Sequence, residues 1–258
     1  VLCLDSHGVC IGLFTFMELL GVFNVEQNVG VLGRGFGVEK SLPGIFEIFF
    51  TFSKDGGNNF SQPVNLSSNQ GNSILPRIAT SQDHVYIVWS DATTGNGDIY
   101  FKRSVDNGTT FGSTENLSNN PGNSTDAQIA LYQNNFYLIW TDDTSGNGDI
   151  YFKRSVDNGS TFGTTENLST NNTSLSSGPQ ISASGNNVYV VWQESVPGES
   201  KRNYDIFFKR SNDSGDSFSK EIHLSNPESQ VSESMETFAF GSSVYVVWLE
   251  KVLNGTHR

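Results

Sequence analysis

From about residue 43 onward, apolar and polar positions alternate with a period of two. They form short runs rich in Val, Ile, Tyr, Phe and Trp, bounded by Gly, Asn, Asp and Ser. That pattern predicts strands joined by tight turns. No segment carries the 3.6-residue apolar period of an amphipathic helix. The runs themselves repeat. IYFKRSVDNGTTFGSTENLS at 99–118 returns almost unchanged at 150–169, with more divergent copies at 48–67 and 206–225. Between the copies lie HVYIVWSD, NFYLIWTD, NVYVVWQE and SVYVVWLE, whose Trp89, Trp140, Trp192 and Trp248 stand 51, 52 and 56 residues apart.

A fixed period of this size marks a repeat architecture. Four strands fit each period, for example 76–82, 84–91, 98–104 and 109–118, which predicts an all-β propeller of four-stranded antiparallel blades. Three blades are complete, at 76–118, 127–169 and 179–225. Segment 45–67 supplies only two outer strands, and 236–251 only two inner ones. The expectation is therefore four blades, the ring closing by pairing N-terminal with C-terminal strands, because closure removes exposed sheet edges. Residues 1–42 carry no repeat and form a cap or a partial fifth blade ahead of a propeller domain at 43–258. If the ring is incomplete, the chain oligomerises.

A turn motif, S-x-D-x-G-x-x-F, recurs at Ser53/Asp55/Gly57/Phe60, Ser104/Asp106/Gly108/Phe111, Ser155/Asp157/Gly159/Phe162 and Ser211/Asp213/Gly215/Phe218. The Asp accepts bonds from turn amides, the Gly supplies a positive φ, and the Phe plugs the blade edge. The motif resembles the Asp-box (BNR-type) repeat of the sialidase-like β-propellers, over about residues 43–251. The resemblance implies that these turns are structural and lie on the face opposite the active site. It also implies sialidase chemistry, with three arginines, a Tyr–Glu nucleophile pair and an Asp acid/base near Arg-Ile-Pro. The sequence departs from that pattern. Arg77-Ile78-Ala79 lacks the proline, and Arg103, Arg154 and Arg210 precede the turn motifs, leaving Arg34, Arg77, Arg202 and Arg258.

Composition narrows the partners. There are 15 Lys and Arg against 27 Asp and Glu, a formal charge of −12, and no basic cluster. Nucleic acid is thus a poor partner. The apolar stretch 11–23 is interrupted by Glu18 and falls short of the ~20 residues that span a bilayer, so no membrane span is expected. Cys3 and Cys10 are the two cysteines and either pair or remain free. N-x-S/T sequons, among them Asn107, Asn158 and Asn212, fit an extracellular or cell-surface address.

Two groups of residues carry candidate chemistry. Acids cluster in the loops between second and third strands: Asp91, Asp98, Asp142, Asp143, Asp149 and Asp205, with Glu194 and Glu250 at matching positions and Asp126, Glu228 and Glu233 in other loops. Such oxygens either hold Ca²⁺ or cap the hairpins. Twelve residues before each tryptophan (on the innermost strand) stand Arg77, Gln128, Gln180 and Glu236, polar throughout but differing in charge. Convergent polar groups around an axis suit a ligand. The expected function is binding of a glycan, peptide or protein on the acidic loop face. The alternative is a Ca²⁺-dependent hydrolase of a lactone or ester, with Glu236 and Arg77 catalytic. Neither needs an organic cofactor.

Overall fold

The structure is a computed structural model that describes residues 44–169, 174–195, 204–226 and 232–251, together with the backbone of residues 2–3 and 10–11. The described elements are all strands. The first complete blade runs β5 (Ser73–Ser81), β6 (His84–Asp91), β7 (Asp98–Ser104), β8 (Glu115–Asn116). The second runs β9 (Ser124–Tyr132), β10 (Asn135–Asp142), β11 (Asp149–Ser155), β12 (Glu166–Asn167). The third runs β13 (Ser176–Ser184), β14 (Asn187–Ser195), β15 (Tyr204–Ser211), β16 (Ile222–His223). Each is a four-stranded antiparallel meander in sequence order. An outer half-blade, β3 (Phe49–Phe50) with β4 (Val64–Asn65), precedes them, and an inner half-blade, β17 (Ser232–Phe240) with β18 (Ser243–Glu250), follows. Near the start, β1 (Leu2–Cys3) pairs with β2 (Cys10–Ile11), setting Cys3 opposite Cys10 in backbone register.

Period-two alternation forms the strands, and the stacking of blades then buries both of their faces. Tyr86 and Val88 face forward and pack with Ile99 and Phe101 against Phe136, Leu138 and Trp140 of the next blade. Tyr137, Ile139, Ile150 and Phe152 do the same against Val188, Val190 and Trp192. Trp89, Trp140 and Trp192 are all fully buried, and a side chain of this size withdrawn from water is worth about 1.5–3 kcal/mol or more. The motif Phe wedges across each joint: Phe162 meets Phe101 edge-on at 5.1 Å, and Phe218 meets Phe152 at 4.9 Å.

Two expectations are corrected. The fourth strand is not 109–118: residues 109–111 belong to the turn that follows β7, and only Glu115–Asn116 pair in the ladder. Among the described residues the ring is also not closed by its own ends: β3–β4 and β17–β18 are separate two-stranded sheets. The result is an open propeller arc. The other residues of 1–43 lie outside the described residues, as does the question of a cap or fifth blade there.

Candidate functional site at the axial rim

The acidic loop residues are explained by the hairpins they terminate. Register places Asp91 opposite Asp98, Asp142 opposite Asp149 and Glu194 opposite Asp205. Like charges directly opposite repel, so each carboxylate must be answered by donors. Asp91 is 1% exposed and its Oδ2 accepts from Ser73 Oγ (2.7 Å), Trp89 Nε1 (2.9 Å) and Asn69 Nδ2, while Oδ1 accepts from the Thr93 amide (2.9 Å). Asp142 repeats the arrangement with Ser124 (2.6 Å), Trp140 (3.1 Å), Asn120 (2.6 Å) and the Thr144 amide (2.9 Å). Burial pushes both carboxyls up, and the hydrogen bonds outweigh it and hold both below the ordinary Asp value.

The third-strand acids are similarly engaged. Asp98 accepts from Thr94 (2.7 Å) and Ser118 (3.0 Å), Asp149 from Ser145 (2.7 Å) and Asn167 (2.9 Å), and Asp205 from Ser225 (3.1 Å). Asp143 accepts from the Asn123 amide. Among the described residues no three His, Cys, Asp or Glu side chains converge as an ion would need. What the hydrogen bonds of these acids show is hairpin capping. Glu228 lies outside the described residues. The donors Asn69, Ser73, Asn120 and Ser124 were not among the sequence candidates; their signal is the N-x-G-N-S string at 69–73 and 120–124, which leads into the first two inner strands.

The axial residues are brought into line. Arg77, Gln128, Gln180 and Glu236 occupy equivalent register positions opposite Val88, Ile139, Val191 and Val247. They therefore sit on the forward face of each inner strand. Arg77 Nε donates to Gln128 Oε1 at 3.1 Å, so the first two members meet across the blade joint, and Arg77 Nη1 also caps the Pro76 carbonyl at 3.2 Å. Two joints further on, between β13 and β17, Ser182 and Thr237 meet at 3.1 Å. Gln180 is half-buried and Glu236 exposed. Immediately before each of the four, the inner strand breaks register. Leu75, Asp126, Gly178 and Ser234 take left-handed backbone there, with φ of 54°, 58°, 59° and 56°. A bulge re-aims the residues beside it, and a non-glycine in this conformation costs about 1–3 kcal/mol. The left-handed bulge recurs at the same point in all four described inner strands, with strain at Leu75, Asp126 and Ser234 and none at Gly178, a feature that no residue pattern in the sequence announces.

The remaining arginines lie elsewhere. Arg103 Nη1 donates to Asn158 O (2.8 Å) and Ser160 Oγ (2.7 Å), and Arg154 Nη1 to Ser214 O (2.7 Å) with an ion pair to Asp216. Both bind the turn motif of the following blade and not the axis. Arg34, Arg202 and Arg258 lie outside the described residues. Of the described arginines, Arg77 alone stands at the rim, so no arginine triad is assembled among them.

No protein-family model and no curated protein matches the chain. Solved structures do. An α-L-arabinanase of Penicillium chrysogenum, solved with arabinobiose, is similar over 78% of this chain and 67% of its own, with 13% identity and a TM-score of 0.54. A sialidase of Trypanosoma rangeli is similar over 78% and 40%, with 12% identity and a TM-score of 0.52. The GH93 α-L-arabinofuranosidase of Fusarium graminearum, also solved with arabinobiose, is similar over 77% and 66%, with 14% identity and a TM-score of 0.50. The chain thus spans two-fifths to two-thirds of the length of these structures. What it shares with them is the sialidase-like β-propeller fold.

Proposed function

We propose that the chain is a glycan-binding propeller module of an extracellular or cell-surface protein, its ligand meeting the axial rim at Arg77, Gln128, Gln180 and Glu236. The observation that carries the reading is the Arg77–Gln128 hydrogen bond, at equivalent positions just after a strained bulge. A planar guanidinium beside an amide offers several fixed donors and an acceptor, which suits the hydroxyls and carboxylate of a sugar. The sugars to try first are suggested by the neighbouring structures, two of which hold arabinobiose. The sequons support the extracellular setting.

The test is calorimetric titration of the protein with arabinobiose, longer arabino-oligosaccharides and a sialyl-oligosaccharide, with hydrolysis of the same sugars followed in parallel. Binding weakened at least ~10-fold by Arg77→Ala and by Gln128→Ala, a loss of about 1.4 kcal/mol each, is the expected result. Sugar cleavage would make the module a glycosidase. Binding unchanged in both variants would remove the rim from the site. A calcium-dependent hydrolase of lactones or esters, acting through Glu236 and Arg77, has no observation in its favour, since the acids meant for the ion already cap hairpins.

A further inference from the structure

We infer that the two ends of the arc are the halves of one blade, and that the half-blade β3–β4 of a second copy completes β17–β18. The inference rests on contacts that recur at each joint and are left half-made at the two ends. In each complete blade the second-strand Trp stacks on a third-strand aromatic: Trp89 on Tyr100 at 6.0 Å, Trp140 on Tyr151 at 5.9 Å, Trp192 on Phe207 at 6.1 Å. The equivalents in the half-blades are Trp248 and Phe49, at opposite ends of the arc. No ring stacks on Trp248 among the described residues, and Phe49 is 44% exposed.

The turn motif gives the same answer. Phe111 packs edge-on against Phe50 (4.9 Å), Phe162 against Phe101 and Phe218 against Phe152, each motif Phe contacting the blade before it. A Cβ added to the motif glycines Gly108, Gly159 and Gly215 would lie only 2.8, 3.1 and 2.7 Å from those same rings. At the ends, Phe60 is 64% exposed and Gly57 has open space where its Cβ would point. The ring they lack is the equivalent Phe208. Arg103 and Arg154 each clamp the following motif loop, and their counterpart Arg210 is exposed, its guanidinium without a hydrogen-bond partner among the described residues. On β17–β18, Tyr245 and Val247 are 61% and 64% exposed. Their counterparts Tyr86 and Val88, Tyr137 and Ile139, Tyr189 and Val191 are all buried against a following blade.

Every missing half is therefore present in this same chain, at the other end. Within one copy the ends stay apart, with β3–β4 and β17–β18 in separate sheets. Joining them in one molecule would mean re-angling joints whose aromatic cores are fully buried. A second copy meets the need without moving any of them. The repeat also fixes the register. Ile87 pairs with Lys102, Leu138 with Lys153 and Val190 with Lys209, so Val246 of one copy pairs with Thr51 of the other. Two such head-to-tail joints close two copies into one ring, and closure removes the exposed edges of β18 and β3.

The experiment combines the mass of the unmodified 258-residue protein in solution with a cysteine pair, Thr51→Cys with Val246→Cys, placed in a Cys3→Ser, Cys10→Ser background. The expected results are a mass of two chains or more at micromolar concentration and an oxidised product that runs as a covalent dimer. Val247→Glu, on the exposed face, is expected to shift the protein to monomer without lowering its β-sheet signal. A monomer in which the two introduced cysteines have bonded to each other would show that the ends meet within one chain and overturn the second copy. A monomer with no cross-link would overturn the shared blade altogether. Mass and cross-linking are read without sugar, so they stand or fall apart from the glycan reading.

Discussion

A single aspartate shows how much of this molecule is settled by local hydrogen bonding. In the turn after β7, Ser104 Oγ donates to Asp106 Oδ1 (2.6 Å) and accepts from the Gly108 amide (2.9 Å), while Asp106 also accepts from Thr110 N (2.8 Å) and Thr110 Oγ1 (2.6 Å). Hydrogen bonds to the charged form, Ser104 first, hold the exposed Asp106 carboxyl at about 2, and those from Asn59 and Ser53 hold Asp55 at about 2 as well. A carboxyl depressed in the folded state gives stability that is complete above its unfolded pKa and is lost as pH falls through its folded one. The midpoint of urea unfolding should therefore fall between pH 4 and pH 2, and Asp106→Asn should make that fall shallower. A midpoint flat over that window in the parent protein would mean the turns do not hold their protons off. Asp157 and Asp213 are depressed further by the equivalent serine and turn hydroxyls.

At the scale of an element, the turn motif serves two purposes that the sequence shows only as one. Its spacing makes the turn legible, since Asp and Gly in these places have a local reason. The joint it makes with the preceding blade is not legible, because Phe50 and Gly108 lie more than a full repeat apart and no local pattern ties them. The two purposes can be separated by mutation. Gly57 and Gly108 both have positive φ, 89° and 80°, so an alanine at either pays the left-handed cost of about 1–2 kcal/mol. Only Gly108 also abuts a ring, Phe50 at 2.8 Å. Gly108→Ala should lower the unfolding free energy more than Gly57→Ala, by about 1–3 kcal/mol of overpacking. Equal losses in chemical denaturation would mean that the joint gives way at no cost. The inner-strand bulges belong to this scale too. Their φ values recur while their residues, Leu75, Asp126, Gly178 and Ser234, share nothing, so the rim was readable in Arg77, Gln128, Gln180 and Glu236 but the strain beside it was not.

At the scale of the whole molecule, stability is a chain of neighbour contacts, each blade held by the next. Trp140 sits in the middle of that chain, fully buried between the first and second complete blades and hydrogen-bonded to Asp142. Trp140→Ala should cost about 3–5 kcal/mol and lower the thermal midpoint in one step. A loss confined to one part of the sheet signal would instead mean that the blades unfold separately.

The sequence by itself determined the blade, its strand order, the four turns and the half-blade at each end, because these follow from alternation, turn chemistry and a period short enough to be seen twice. It also placed the four axial residues at one register position. Tertiary structure decided whether the ring closes, what the loop acids do and which copies of one motif are buried. HVYIVWSD in β6 and SVYVVWLE in β18 are nearly the same string, yet β6 is buried along almost its whole length while β18 alternates between exposed and half-buried. The alternation specifies a strand with two usable faces. Whether the second face meets protein or water depends on a neighbour tens of residues away, which β6 has and β18, within one copy, lacks.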